Sequence, residues 1–379
     1  MILYLFNPEH DYALANNDPH FMAPASAVKF ADDCALFLRY LAPNDGIIFL
    51  PYRKEKPFYD IANAEFTDQP GHIDEIRPWG WNLLMRQQCS EIMSDYLLDN
   101  QHITTVRALS HRINAIDAMD FLRAQCPELE IPVSATLLLS PEEVADFVHN
   151  QKEVILKSPY SGNGRGNLYA HNGDYSPTLQ RQSSGVIRRQ GAILGEPLYD
   201  VVQDFAMEFL CHDGSTQFAG YSLFNTKHYG YAGNLLRSDE AIEERLGTWT
   251  SKSTLHQIRQ ALLTYIQTNI ANRYEGYLGV DMFIYKESER YLVNPMVEIN
   301  VRMTMGMAAH ILYEKHVHPQ STGTMQLEYY PKSESLMDFV KQQPNMEMKD
   351  GKWHSGFLAL TPVDKETQYA ICVNLEPQK

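Results

Sequence analysis

The sequence predicts a small N-terminal α/β domain followed by a larger α+β part with a large antiparallel component. Three observations carry this. The apolar runs "ILYLFNP" (2–8) and "GIIFLPY" (46–52), bounded by Pro, Asn and Gly, flank a stretch of helical apolar spacing, "SAVKFADDCALFLRYLA" (26–42). Strand, helix, strand is an α/β unit. Further along, "YDVVQDFAMEFLC" (199–211) and "TQFAGYSLFN" (216–225) flank the turn "HDGS", and "YLGVDMFIYK" (277–286) and "RYLVNPMVEINVRM" (290–303) flank a charged turn. Such pairs read as antiparallel hairpins. Finally, 379 residues at 44% apolar are enough for two or three domains or subdomains. The expected divisions are 1–105, 106–198, 199–329 and a C-terminal extension, 330–379, packing on the core.

The remaining elements follow in chain order. "WNLLMRQQCSEIMSDYLLDN" (81–100) and "SHRINAIDAMDFLRAQ" (110–125) have helical spacing, the second with Ser110 as its expected N-cap. "IPVSATLLL" (131–139) reads as a strand, and "SPEEVADFVHN" (140–150) as a helix opened by Ser-Pro. "EVILKSP" (153–159) is a strand, and "STLHQIRQALLTYIQTNIANRY" (253–274) is the longest amphipathic helix. In the tail, "SGFLALTP" and "QYAICVNL" read as edge strands.

Composition narrows the function. Asp+Glu exceeds Lys+Arg by 47 to 32, and a net charge of −15 argues against nucleic acid as a partner. A local basic pocket for an anion remains compatible with it. The five cysteines are scattered without a CxxC pair, the pattern of reduced, buried thiols in a cytoplasmic protein. No apolar run approaches the roughly 20 residues of a membrane helix, so no membrane partner is expected. The start, "MILYLFNPEHD", lacks a basic n-region and reads as a first strand rather than a signal peptide. The histidines show no zinc spacing.

Three stretches carry candidate chemistry. In "VILKSPYSGNGRGNLY" (154–169), Lys157 ends an apolar strand and Ser161, Gly162, Asn163, Gly164, Arg165 and Gly166 follow. Glycines let a backbone approach a bulky anion and aim N–H groups at it. Lys157 and Arg165 would neutralise phosphate charge. The stretch is neither a Walker A loop nor GxGxxG, and its lysine precedes the glycines, the reverse of the protein-kinase order. A bare hairpin tip has the same composition.

In "VEINVRMTMG" (297–306), Glu298, Asn300 and Arg302 leave one face of a strand. A turn centred near 288 or 289 places Asp281 of the preceding strand opposite residues 295–297, close to Glu298. Opposed like charges destabilise a sheet, and a bound cation reverses that sign. Two carboxylates and an amide oxygen suit Mg²⁺. A solvated polar face is the alternative. The third stretch, "VVQDFAMEF" (201–209), has Asp204 and Glu208 on an extended segment whose backbone could meet an adenine edge, although an ordinary strand reads the same way.

Together and in this order, Lys157, "SGNGRG", "VVQDF" with Glu208, "GVDMFIY" and "VEINVR" resemble the ATP-grasp superfamily over roughly 105–310. The resemblance implies a small α/β domain followed by a two-subdomain ATP-grasp fold, the glycine-rich loop in 106–198 and the hinge and metal-binding strands in 199–329. It also implies an ATP- and Mg²⁺-dependent ligase that activates a carboxylate as an acyl phosphate for attack by an amine, or less often a thiol.

The implied roles are specific. Asp281, Glu298 and Asn300 hold one or two Mg²⁺ ions, with Mn²⁺ as the substitute. Lys157 and the loop 161–166 hold the α- and β-phosphates. Gln203, Asp204 and Phe205 hold adenine through backbone atoms, with Glu208 on ribose. Arg302 meets the γ-phosphate or the acyl-phosphate oxyanion, as its guanidinium fork suits phosphate. Two departures stand out. Val301 takes a position where many members have proline, and Arg112 or Arg107 stands where many have a lysine. The implied substrates are a small-molecule or peptide carboxylate and an amine. Dimers are common in the family, so a homodimer is open to this chain.

Two polar segments have no motif. "NPEHDYALANNDPH" (7–20) follows the first strand, where α/β proteins often bind ligands, so His10, Asp11 or Asn16 could meet the acceptor substrate. "NTKHYGYAGNLLRS" (225–238), with Lys227, His228 and Arg237, reads as a closing loop or an exposed connector. The competing functions are an ATP-grasp kinase acting on a small molecule and a nucleotide-binding protein without ligase activity. An α/β oxidoreductase is disfavoured, because no glycine fingerprint follows "ILYLFNP".

Overall fold

A computed structural model describes residues 1–90, 92, 99–162, 166–227, 230–332 and 334–378. The N-terminal part is a five-stranded sheet ordered β4-β3-β2-β1-β5, comprising β1 (Ile2–Leu5), β2 (Ile47–Phe49), β3 (Phe58–Asp60), β4 (Glu65–Thr67) and β5 (Glu75–Pro78). β1 runs parallel to both β2 and β5. Helix α1 (His10–Asn16) follows β1. Helix α2 (Ala25–Cys34) changes to 3-10 winding over Ala35–Tyr40, where four consecutive apolar side chains, Ala35 to Leu38, are buried.

The helix expected over 81–100 is observed as α3 (Leu83–Ser90) and the start of α4 (Asn100–Leu109), with 91 and 93–98 outside the described residues. Asp99 caps α4, accepting from the His102 amide at 2.7 Å. Ser110 is not an N-cap. It closes α4 by donating its hydroxyl to Val106 O at 2.8 Å, and the chain enters α5 (Ile113–Gln125) through Arg112.

The second sheet, ordered β6-β9-β7-β8, contains β6 (Thr136–Leu138), β7 (Val154–Lys157), β8 (Leu168–Ala170) and β9 (Ile193–Pro197). The strand expected from 131 begins only at Thr136; Pro132, upstream, has no N–H to give a ladder. Helices α6 (Pro141–Gln151) and α7 (Pro177–Gln190) back this sheet. Ser140 caps α6 as expected. The polar composition of α7 hid it from a search for apolar spacing.

The third sheet has nine strands: β10 (Asp200–His212), β11 (Ser215–Lys227), β12 (Gly230–Leu236), β13 (Gly276–Glu287), β14 (Arg290–Asn300), β15 (Ser321–Tyr329), β16 (Glu347–Lys349), β17 (Lys352–Ala359) and β18 (Tyr369–Pro377). Their order is β14-β13-β10-β11-β12-β15-β18-β17-β16. Helices α8 (Asp239–Leu246), α9 (Lys252–Asn269), α10 (Met305–His316) and α11 (Ser335–Lys341) complete the chain. The tail strands are not edges. β18 lies between β15 and β17, and Ala370, Ile371, Cys372 and Val373 are buried in succession, as a strand covered on both faces requires. Nor is 225–238 a loop: its described residues are mainly the end of β11 and all of β12.

One irregularity sets the site. The β13–β14 ladder runs in constant register from Glu287↔Arg290 to Phe283↔Asn294, then shifts, so that Asp281 pairs with Glu298. Residues 295–297 bulge opposite Met282. Pro295 has no N–H for the ladder, and the Asn294 side chain accepts from the Met296 amide at 3.1 Å. A constant register placed Asp281 opposite 295–297; the bulge delivers Glu298 instead.

Period-two alternation then sorts the faces. Phe205, Met207 and Phe209 of β10 enter the core with Val280, Met282, Ile299 and Val301, under α5 and α9. Asp204, Ala206 and Glu208, Gly279 and Asp281, and Glu298, Asn300 and Arg302 share the opposite side. Helix α10 joins the N-terminal sheet to the large one, its Ala308, Ala309 and Leu312 packing in one cluster with Phe6, Trp79 and Met325. All five cysteines are free and buried. Among the described residues no helix is long and apolar enough to cross a membrane.

Candidate active site

A cavity of about 690 Å³ opens between the polar face of β10, β13 and β14 and the end of β7. Lys157, the last residue of β7, is buried and donates to Glu196 Oε2 at 2.7 Å. The chain crosses from the second sheet to the third at 198–199. There the Leu198 amide donates to Glu153 O at 3.0 Å, and the Tyr199 ring packs on Phe283 and Tyr285, with centroids 5.5 and 4.6 Å apart.

Asp281 and Glu298 face each other across the hairpin. Burial, and then the Glu298 charge, hold Asp281 well above the usual carboxylate range. Asn300 donates to Asp281 Oδ2 at 3.1 Å and accepts from Arg302 at 3.0 Å. Arg112, 7% exposed, bonds Glu298 Oε2 and also donates to Ser158 O at 2.7 Å and Ser161 O at 2.9 Å. It thus ties the glycine-rich segment to the carboxylate pair. Two opposed carboxylates with an amide beside them fit a hard divalent cation, which would offset the repulsion burial magnifies.

Arg302 reaches the N-terminal part. It donates to Asp11 Oδ2 at 3.1 Å and Oδ1 at 3.4 Å, with the two side chains 13% and 23% exposed. Burial opposes charge on both, but their attraction wins: Asp11 sits below its ordinary value and Arg302 above. Gly162 lies against Asp11, and a Cβ there would sit 2.1 Å from Asp11 Oδ2, so only glycine permits this approach. Gly166 has φ +91°. Asn163, Gly164 and Arg165 lie outside the described residues, as does His228.

The other sequence candidates are engaged within the fold, and His10 lines a small cavity with Asp11, Arg112, Glu298 and Arg302. His10 is buried with Nδ1 facing Asn82 Nδ2 at 3.1 Å, and burial pushes its pKa down to about 4. Asn16 bonds Tyr12 O on the surface. Arg107 stacks on the Tyr160 ring, and Arg237 bonds Thr322 Oγ1 at 2.7 Å. Asp204 and Phe205 are aligned with strands on both sides, β11 and β13, whereas Gln203 is aligned with β13 alone. Glu208 pairs with Gly279, whereas Tyr199 at the inter-sheet crossing packs on Phe283, beyond Asp281 at the other end of β13. Sequence reasoning missed Glu196 and the crossing itself, although "GEPLYD" carries a turn signal, Pro197, between two strands.

Glu208 has a consequence for stability. It is 1% exposed, and burial pushes its pKa up from 4.5 to about 7. A carboxyl with a raised folded value keeps its proton longer when folded. Its share of stability is therefore present below about pH 4.5 and is lost as pH rises towards 7. Glu9, also buried, shifts the same way. Glu208→Gln is expected to flatten this decline and raise stability at pH 8 by up to about 3 kcal/mol, measured by urea unfolding across pH.

No family model and no curated protein matches the chain. Solved structures do. N5-carboxyaminoimidazole synthetase from Staphylococcus aureus, complexed with ADP, aligns at a TM-score of 0.52 and 13% identity over 100% of this chain and 93% of that one. A biotin carboxylase complex from Campylobacter jejuni aligns at 0.55 and 13% identity over 100% and 88%. Another N5-carboxyaminoimidazole ribonucleotide synthetase, with ADP, aligns at 0.54 and 10% identity over 98% and 91%. At these identities the likeness is one of fold.

Proposed function

We propose that this chain, which has the ATP-grasp fold, is an ATP- and Mg²⁺-dependent ligase that activates a carboxylate as an acyl phosphate for attack by an amine. The observation that carries the reading is the direct pairing of Asp281 with Glu298, beside Asn300, in a cavity that also holds Lys157, Arg112 and Arg302. A nucleotide-binding module has less need of that set.

The residues divide the work. Asp281, Glu298 and Asn300 would hold Mg²⁺, which supplies charge neutralisation at the β- and γ-phosphates. Lys157 exchanges Glu196 for phosphate oxygens, and the segment 161–166 covers them. Pro197 to Tyr199, at the cavity wall where the chain passes between two sheets, hold adenine in place of 203–205, whose strand lies inside the large sheet. Arg302 stabilises charge on the transferred phosphoryl group and on the carboxylate that receives it. The γ-phosphorus leaves the β–γ bridging oxygen and bonds the carboxylate oxygen, giving ADP and acyl phosphate. The amine then bonds the acyl carbon, phosphate leaves, and the amine gives up a proton. Positioning and electrostatics supply most of the acceleration.

The test is ADP release from Mg-ATP with panels of carboxylic acids, with and without hydroxylamine. A ligase gives a hydroxamate with its own acid. A kinase gives ADP and a stable phosphorylated product without hydroxamate. Nucleotide binding with no turnover across the panel supports the binding-protein alternative.

A further inference from the structure

The floor of the cavity is built around Glu208. Its side chain lies among Gly279 of β13, and Ser222, Thr304 and Gly306. Two glycines make room for it. A Cβ at Gly279 would lie 2.7 Å from Glu208 Oε2, and one at Gly306 would lie 2.2 Å from Oε1. Among the described residues Oε2 has no hydrogen-bond partner, although Glu208 is 1% exposed. Ser222 Oγ accepts from Asn234 at 2.6 Å and Thr304 Oγ1 accepts from the Met307 amide at 2.9 Å, and the Thr304 hydroxyl faces the Glu208 carboxyl, yet none of these groups donates to Oε2. Of the nearby cations, Arg302 is engaged by Asp11 and Asn300, while His310 lies at ion-pair distance from Asp239, 3.5 Å, with Nδ1 outside hydrogen-bond geometry.

A buried carboxylate oxygen without a donor is costly unless a ligand supplies one. The register places it past Asp281, on the side away from Tyr199. Building on the ligase reading, we infer that Glu208 is the specificity residue for the acceptor, receiving the N–H groups of its primary amine at the cavity floor. An acceptor that presents a carboxylate there is rejected by like charge, and a thiol offers only a weak donor.

The experiment measures, at pH 8 where Glu208 is ionised, thermal stabilisation of the full chain by millimolar methylammonium, ethanolamine and 1,3-diaminopropane, with acetate and tetramethylammonium as controls. At least one primary amine is expected to stabilise the wild type, and the controls are not. Glu208→Gln, close in shape, is expected to weaken that amine on the order of 10- to 100-fold, the range of a charge-assisted bond. Gly306→Ala, whose methyl displaces the carboxylate, is expected to do the same. Equal amine response in wild type and Glu208→Gln, or no response to any amine, overturns the inference. So does a Glu208→Gln that weakens ATP but not 2′-deoxy-ATP, since the carboxylate then serves ribose. Stabilisation of the wild type by Mg-ATP is scored separately: its absence sinks the ligase reading, whatever the amines do.

Discussion

Asp281→Asn and Glu298→Ala are each expected to lower Mg-ATP turnover on the order of 10³-fold, about 4 kcal/mol of barrier, while moving stability in opposite directions. On the proposed ligase reading both remove a cation ligand. Asp281→Asn also removes the carboxyl that burial, and then the opposed Glu298 charge, hold above the usual range, and the new amide oxygen can still accept from Asn300. The chain without Mg²⁺ should therefore become more stable. Glu298→Ala instead strands Arg112, 7% exposed, without its carboxylate, and should become less stable. Thermal unfolding with and without Mg-ATP reads both effects. Wild type should gain about 2.7 kcal/mol at a hundredfold excess over Kd, and Asp281→Asn almost nothing. An undiminished Mg-ATP shift in Asp281→Asn would place the cation elsewhere.

Arg302→Met should lose on the order of 10²- to 10³-fold in turnover and about 3 kcal/mol in stability. The stability loss comes from Asp11, left mostly buried with its charge unanswered. That predicts a rescue. Adding Asp11→Asn should restore most of the stability and none of the turnover, because the guanidinium's work on the phosphoryl group is not replaced. Urea midpoints and ADP release on the two single variants and the double form a cycle. Recovery of both properties would reduce Arg302 to a structural ion pair. Acid should mimic the single variant. Asp11 sits below its ordinary value, so its contribution is present above that value and lost as pH falls through the folded one.

The local part of the site was legible in the chain. Glu298, Asn300 and Arg302 alternate with Ile299 and Val301, and alternation alone puts the three polar side chains on one face. Lys157 at the end of an apolar strand was legible for the same reason. Val301, where many relatives have proline, is a core residue at 1% exposure. For the adenine assignment, sequence shows that a segment is extended but not whether its edges are already paired, and β10 lies inside the sheet. The tail strands were misjudged, since strand order is not written in any one strand.

What the sequence determined by itself is everything set by near neighbours: the periods of strands and helices, the cap at Ser140, the hairpins, and the order of acid, amide and guanidinium along β14. Tertiary structure decided the pairings. Arg302 meets a carboxylate 291 residues away, Arg112 one 186 away and Lys157 one 39 away. It also decided the register, because the bulge at 295–297 moved Asp281 onto Glu298. The division has one physical cause. Backbone sterics and side-chain periodicity act within a few residues, whereas burial and charge pairing act through space, and only the packed chain says which charges share it.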